Sequence, residues 1–300
     1  MASELNNRSR DATVQSPVRQ DSITTALLTL LALIAFAANS IFARLALSGP
    51  SIDPASYTTV RLLTGAVTLW LIDYTRRRGT LTRAESSWTS AAMLFLYATS
   101  FSFAYVSLTT GTGALILFAA VQVTMIGLGL YAGEQPSVLH WFGLLIAISG
   151  LVFLVSPGVT APSGLGSLLM GTAGASWGIY SILGRRVADP LRATAGNFLR
   201  TVPLALVVLL LWSPSVAITA EGVLWAALSG SITSAVGYVI WYAVLPQLAA
   251  TLAATLQLSV PALAAFGGVF FLSERITLRL ILSGTLIIVG VGLAIVSRKK

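Results

Sequence analysis

From Ser22 almost to the C-terminus, apolar runs of about twenty residues alternate with short polar breaks, and each run is long enough to cross ~30 Å of hydrocarbon as a helix. Within a run the hydrophobicity is continuous and does not alternate with period two. In lipid, where no water satisfies backbone N–H and C=O groups, that pattern selects helices over barrel strands. Helices are predicted over 22–47, 56–74, 88–108, 112–132, 137–156, 166–184, 194–212, 222–245, 250–272 and 277–296. The breaks carry turn chemistry, as at Ser48-Gly49-Pro50-Ser51, Gly133-Glu134-Gln135-Pro136, Pro157-Gly158, Asp189-Pro190 and Ser213-Pro214. The connections are too short to hold a soluble domain.

Composition sharpens the picture: 56% of residues are hydrophobic and 9% charged, against ~25% charged in soluble domains. The first 21 residues are polar and read as a disordered cytoplasmic tail. The run that follows, Ile23 to Leu47, is too long for a signal-peptide core and carries Asn39 and Arg44, so an uncleaved first helix is expected. Basic residues fix the orientation. With the N-terminus inside, the inner segments hold Arg8, Arg10 and Arg19, then Arg76 to Arg78 and Arg83, then Arg185, Arg186 and Arg192, then Arg298 to Lys300; the outer ones hold only Arg275 and Arg279. Both termini are expected in the cytoplasm of a bacterial cell, with the helices in its inner membrane. That bias accounts for the net charge of +8 without a nucleic-acid partner. The absence of cysteine excludes a disulfide framework and a thiolate metal site.

The chain repeats itself at a spacing of about 140 residues, a period of the kind left by duplicated transporter halves. Phe36 to Arg44 resembles Trp177 to Arg185, Val60-Arg61-Leu62 resembles Leu199-Arg200-Thr201, and Gly133-Glu134 resembles Ser273-Glu274. The helices after each glutamate also match, from Gly143 to Ser156 and from Gly284 to Ser297. The units are 22–157 and 166–297. Five crossings is an odd number, so the second unit is expected upside down relative to the first. The fold class is therefore an all-α membrane protein of ten transmembrane helices in two inverted repeats. Alternating-access transporters are built this way, with substrate near mid-membrane where the repeats meet.

Tyr238-Val-Ile-Trp241-Tyr242, then Pro261 before Glu274 and a glycine-rich last helix, resembles the closing half of EamA-type proteins of the drug/metabolite transporter superfamily. Asp53-Pro54 to Arg61, and Trp177-Gly-Ile-Tyr180-Ser, resemble the same family. The resemblance covers nearly all of 22–297. It implies ten helices in two inverted repeats and export of amino acids or other metabolites, with aromatic and neutral amino-acid exporters the nearest fit. One departure is Val121, which stands where the family's proline would precede Glu134, so only the ninth helix is expected to kink, at Pro261.

No Asp or Glu falls in the middle third of any predicted helix. Ion-coupled antiport ordinarily uses such a group, so the sequence favours a facilitator over a proton-coupled antiporter, which stays the alternative, followed by a non-transport receptor. His140, the only histidine, is expected to anchor an interface. Paired aspartates, a serine with a partnered histidine, and a phosphate-cradling glycine loop are all missing, so neither an enzyme, a cofactor, a metal nor an ATP-driven pump is expected. Arg61 and Arg200 read as snorkelling residues that cap helix ends or pair with Asp53 or Asp189, with a carboxylate-attracting role as the alternative. Glu134 and Glu274 read as N-terminal caps of the helices that follow them.

Substrate-site candidates are the deep aromatics with polar tips and the mid-membrane amides. The aromatics are Tyr97 and Phe101 on the third helix, Trp177 and Tyr180 on the sixth, and Tyr238 and Trp241 on the eighth. The amides are Asn39, Gln122 and Gln257, which cannot face lipid without leaving polar atoms unsatisfied. Ordinary packing and interhelical hydrogen bonding are the competing roles for both sets. The partners expected are a small-molecule substrate and the bilayer; oligomeric state is open, a monomer included.

Overall fold

The computed structural model describes residues 22–77, 86–131, 137–158, 161–184, 187, 189–212, 218–244, 247–248, 256–257 and 259–296. Among them there are ten helices and no strand: α1 (Ser22–Leu47), α2 (Pro54–Arg77), α3 (Trp88–Tyr105), α4 (Thr110–Tyr131), α5 (Val138–Val155), α6 (Gly164–Gly184), α7 (Pro190–Leu211), α8 (Ala220–Val244), α9 (Val260–Leu272) and α10 (Leu278–Val296). The polar tail, Glu134, Arg185 and the His140 side chain lie outside the described residues. Four helices, Ile23–Leu47, Thr110–Gly129, Pro190–Leu211 and Ala220–Val244, are long and apolar enough to cross a membrane by themselves.

Helix starts follow local chemistry. Asp53 Oδ1 accepts from the N–H groups of Ala55 and Ser56 at 2.9 and 3.0 Å, and Pro54, which has no N–H to lose, opens α2. Asp189 Oδ1 caps α7 through Arg192 N at 3.2 Å, again followed by a proline. These caps start α2 two residues and α7 four residues before the positions expected from hydrophobicity alone. Pro261 falls in the first turn of α9; residues 256–257 before it are also helical, and the rest of the predicted stretch 250–258 lies outside the described residues.

The flanks are apolar, with Leu210 85% exposed, and the largely apolar interior encloses a smaller set of polar side chains such as Arg61, 1% exposed. Large apolar side chains exposed along the flanks suit lipid rather than water. Inside the bundle α2 packs on α7, α5 on α10 and α4 on α9, while α6 packs on α3 and α4, and α1 on α8 and α9. Helix α8 also packs on α2, and α3 on α7. Close approach depends on small residues. A Cβ on Gly290 would sit 2.4 Å from Ala147 N and 2.5 Å from Gly143 O, so α5 and α10 touch backbone to backbone.

Candidate functional site

Helices α1, α3, α4, α6 and α8 converge on a small interior cavity of ≈ 20 Å³, space for about one water molecule. Its walls are Phe36, Asn39 and Ser40 of α1, Tyr97 and Phe101 of α3, Leu117 and Phe118 of α4, Trp177 of α6, and Thr233 and Tyr238 of α8. Trp177 bridges the aromatic wall. Its ring centroid lies 4.9 Å from that of Tyr97 and 4.9 Å from that of Tyr238, so three helices meet through one indole. Phe36 meets Tyr238 edge-on at 6.1 Å, and Tyr97 meets Phe101 at 5.6 Å.

The polar wall is a connected network. Asn39 Nδ2 donates to the Tyr97 hydroxyl at 3.3 Å, and its Oδ1 lies 2.7 Å from Ser229 Oγ and 3.1 Å from Thr233 Oγ1, both placed to donate. Ser229 and Thr233 belong to the segment Ser229–Val236, where α8 widens to π geometry, a local feature that often marks functional sites. Gly230 brings that segment onto α2: a Cβ there would lie 2.1 Å from Thr64 Oγ1 and 2.2 Å from the Arg61 carbonyl.

Arg61 joins the same network from behind the aromatic wall. Its Nε donates to Ser234 Oγ at 3.2 Å and its NH2 to the Tyr97 hydroxyl at 3.1 Å. The guanidinium carbon lies 5.2 Å from the Tyr97 ring centre and 4.8 Å from that of Phe101. NH1 is buried with no hydrogen-bond partner. The expected pairing with Asp53 is not made: Asp53 Oδ1 caps α2 and its Oδ2 is buried with no hydrogen-bond partner; nor does Arg61 snorkel, being 1% exposed. The early start of α2 places Arg61 about 10 Å along the helix, beyond the reach of a one-turn interfacial position. Arg200, the position matched to Arg61 in the expected repeat, is only half-buried and lies 5.7 Å from the Trp88 ring.

Of the nine residues singled out from sequence, Asn39, Tyr97, Phe101, Trp177 and Tyr238 share this cavity. Tyr180 is buried beside it but turns its hydroxyl to Thr194 and Asn197 of α7, at 3.5 Å each. Trp241 packs edge-on against Phe36 at 5.7 Å, outside the lining. Gln122 is buried on α4 and Gln257 is half-buried before α9; neither lines the cavity. Sequence reasoning missed Ser229, Thr233 and Ser234 as site neighbours, and gave Arg61 a carboxylate-attracting role only as the alternative to capping or ion pairing. The Asp-Pro signal before α2 could have revealed the depth of Arg61, whereas single hydroxyls give no pattern.

A larger cleft of ≈ 340 Å³ between α4, α9 and α10 is lined by Leu115, Ala265, Phe266 and Ile281 among other residues. Phe266 is 70% exposed on the apolar flank, so this cleft faces lipid; its one polar side chain, Thr285, donates to the Ile281 carbonyl at 2.9 Å and offers little to orient a solute.

At one end of the bundle Arg44 and Glu274 form an ion pair at 3.3 Å. Both Glu274 oxygens accept from Thr110 N, at 3.0 and 2.9 Å, and Arg44 NH1 donates to the Tyr105 carbonyl at 2.8 Å. Glu274 thus caps α4 instead of the helix that follows it, which Thr277 Oγ1 caps through Leu280 N at 3.1 Å. Ser273, left-handed at φ 54°, turns the chain so that the carboxylate reaches back.

The chamber with its aromatic and amide walls inside an apolar-sided helical bundle is compatible with a membrane transporter, and the family match points to one of the drug/metabolite type. Residues 164–296 match the EamA-like transporter family, and this chain belongs to it. An uncharacterized protein of Pseudomonas aeruginosa is 44% identical over 274 residues, which span 91% of this chain and 95% of that protein. The uncharacterized transporter YoaV of Bacillus subtilis is 26% identical over 253 residues, 80% of this chain and 86% of YoaV. A crystal structure of a protein 18% identical in sequence superposes with a TM-score of 0.67 over 92% of this chain and 97% of that one, a likeness of fold alone.

Proposed function

We propose that this transporter exports small organic metabolites, foremost amino acids including aromatic ones, by alternating access as a facilitator. The carrying observation is the central chamber, where Trp177, Tyr97, Tyr238 and Phe36 offer flat apolar faces beside the Asn39 amide. At ≈ 20 Å³ the chamber is far smaller than any amino acid, so cargo enters only when helices part. Two inverted five-helix repeats provide the means. Helix pairings support that reading, since exchanging each helix for the one five places along turns α3·α6 into α8·α1, α4·α6 into α9·α1, and α2·α8 into α7·α3. In the proposed setting both termini lie in the cytoplasm and the helices cross the bacterial inner membrane.

Facilitation is favoured over proton coupling because, among the described residues, no carboxylate lines the chamber. Counterflow in proteoliposomes with labelled phenylalanine, tryptophan, threonine and alanine tests the proposal. Exchange down the solute gradient, unchanged when a protonophore removes the pH difference, is the expected result. Acceleration only by an imposed proton gradient would establish antiport, and no exchange of any solute would remove the transport reading.

A further inference from the structure

A cation buried to 1% exposure, with no carboxylate hydrogen-bonded or ion-paired to it among the described residues, is costly to keep. Arg61 offsets that cost in part with Ser234 Oγ, the Tyr97 hydroxyl and two aromatic faces, yet leaves NH1 without a partner. A second donor is vacant beside it. The Tyr97 oxygen already accepts from Arg61 NH2 and Asn39 Nδ2, while its own O–H has no acceptor among the described residues. Tyr97 lines the chamber, so a positive fork and a hydroxyl donor stand behind and on one wall, with Trp177 opposite at 4.9 Å. Nothing in the chamber supplies the anion that this donor set fits.

We infer that Arg61 and Tyr97 form the subsite for the carboxylate of the transported solute, making the chamber selective for carboxylate-bearing solutes with a flat apolar body. Guanidinium and carboxylate match as forks, and a site that has excluded water strengthens the pair. The Tyr97 hydroxyl donates to the carboxylate oxygen nearest the chamber wall, while the apolar body lies against Trp177 and Tyr238. This rests on the transport reading above, but binding can be measured apart from transport.

The test is calorimetric titration of the detergent-solubilised full chain with 3-phenylpropionate, phenylalanine, phenylalaninamide and phenethylamine. The first two are expected to bind at least about tenfold more tightly than the last two, the scale of a charge-assisted hydrogen bond. Arg61→Gln should erase that difference, and Arg61→Lys, which keeps the charge without the fork, should restore part of it. Equal affinity for carboxylate-bearing and carboxylate-free probes, or no binding by any, overturns the inference, as does undiminished preference in a folded Arg61→Gln protein. Should Arg61→Gln fail to fold, the wild-type series alone decides. Carboxylate-selective binding without counterflow would remove the transport reading and leave the subsite standing; counterflow without carboxylate preference would do the reverse.

Discussion

Two tyrosines with similar burial have unequal hydroxyls. The Tyr97 oxygen takes N–H bonds at 3.1 and 3.3 Å from Arg61 and Asn39, whereas Tyr180 makes two contacts of 3.5 Å. Tyr97→Phe should therefore strand donors in a dry interior and cost about 1–3 kcal/mol of stability, while Tyr180→Phe should cost less than about 1 kcal/mol. Thermal unfolding in one detergent checks the order. Trp177 predicts a selectivity effect instead: Trp177→Ala should slow counterflow of tryptophan and phenylalanine more than of alanine or threonine, because the lost ring contact, on the order of 1 kcal/mol, acts only on a solute large enough to touch it. Uniform slowing would mark Trp177 as packing. Asn39, Tyr97, Phe101, Trp177 and Tyr238 were legible because large polar-tipped side chains deep in apolar runs must face inward. Arg61 was legible only as an alternative, since its burial depends on where α2 begins. Hydrophobicity alone put that start two residues late, and Asp53, assigned to pair with Arg61, instead caps α2 through Oδ1. Gln122 and Gln257 satisfied the same sequence criterion as Asn39, but neither lines the chamber: Gln122 is buried elsewhere on α4 and Gln257 lies before α9.

At the scale of helices, the number and order of the apolar runs were plain in the sequence because each had to span lipid, and their ends were less so. Prolines mark two of those ends, at Pro54 and Pro190, each standing in the first turn where a missing N–H is harmless. Helix contacts turn on single glycines, and α10 provides a controlled comparison. A Cβ at Gly290 would meet α5 backbone at 2.4 Å, whereas one at Gly292 meets nothing within 4 Å. Gly290→Ala should push α10 off α5 and cost about 1–3 kcal/mol, as overpacking does. Gly292→Ala should be neutral or stabilising by up to about 1 kcal/mol, through helix propensity. Equal melting temperatures for the two variants would show that α5 and α10 slide apart freely.

At the scale of the molecule, a closed chamber works as a transporter only if its two ends open in turn, and one end is held by a describable lock. Arg44 ties the C-terminal end of α1 to the last carbonyls of α3, while Glu274 ties the turn after α9 to the first N–H of α4, and the ion pair joins both ties. Opening this end must break the pair, so its strength sets part of the closed population. The proposed orientation puts it on the periplasmic side. Glu274→Gln keeps an acceptor for Thr110 N but removes the charge facing Arg44, a loss of about 1 kcal/mol for a partly exposed pair, or roughly fivefold in the open fraction. The chain has no cysteine, so a thiol introduced at Ser40, a chamber-lining residue 2% exposed, is a unique reporter. In intact cells, a membrane-impermeant maleimide should label Ser40→Cys slowly, and several-fold faster when Glu274→Gln is added. Arg44→Gln should act in the same direction, and combining it with Glu274→Gln should add little, because both variants remove one contact. Unchanged labelling in all three would mean that the pair is structural and that opening occurs without parting α1 from the α9–α10 turn.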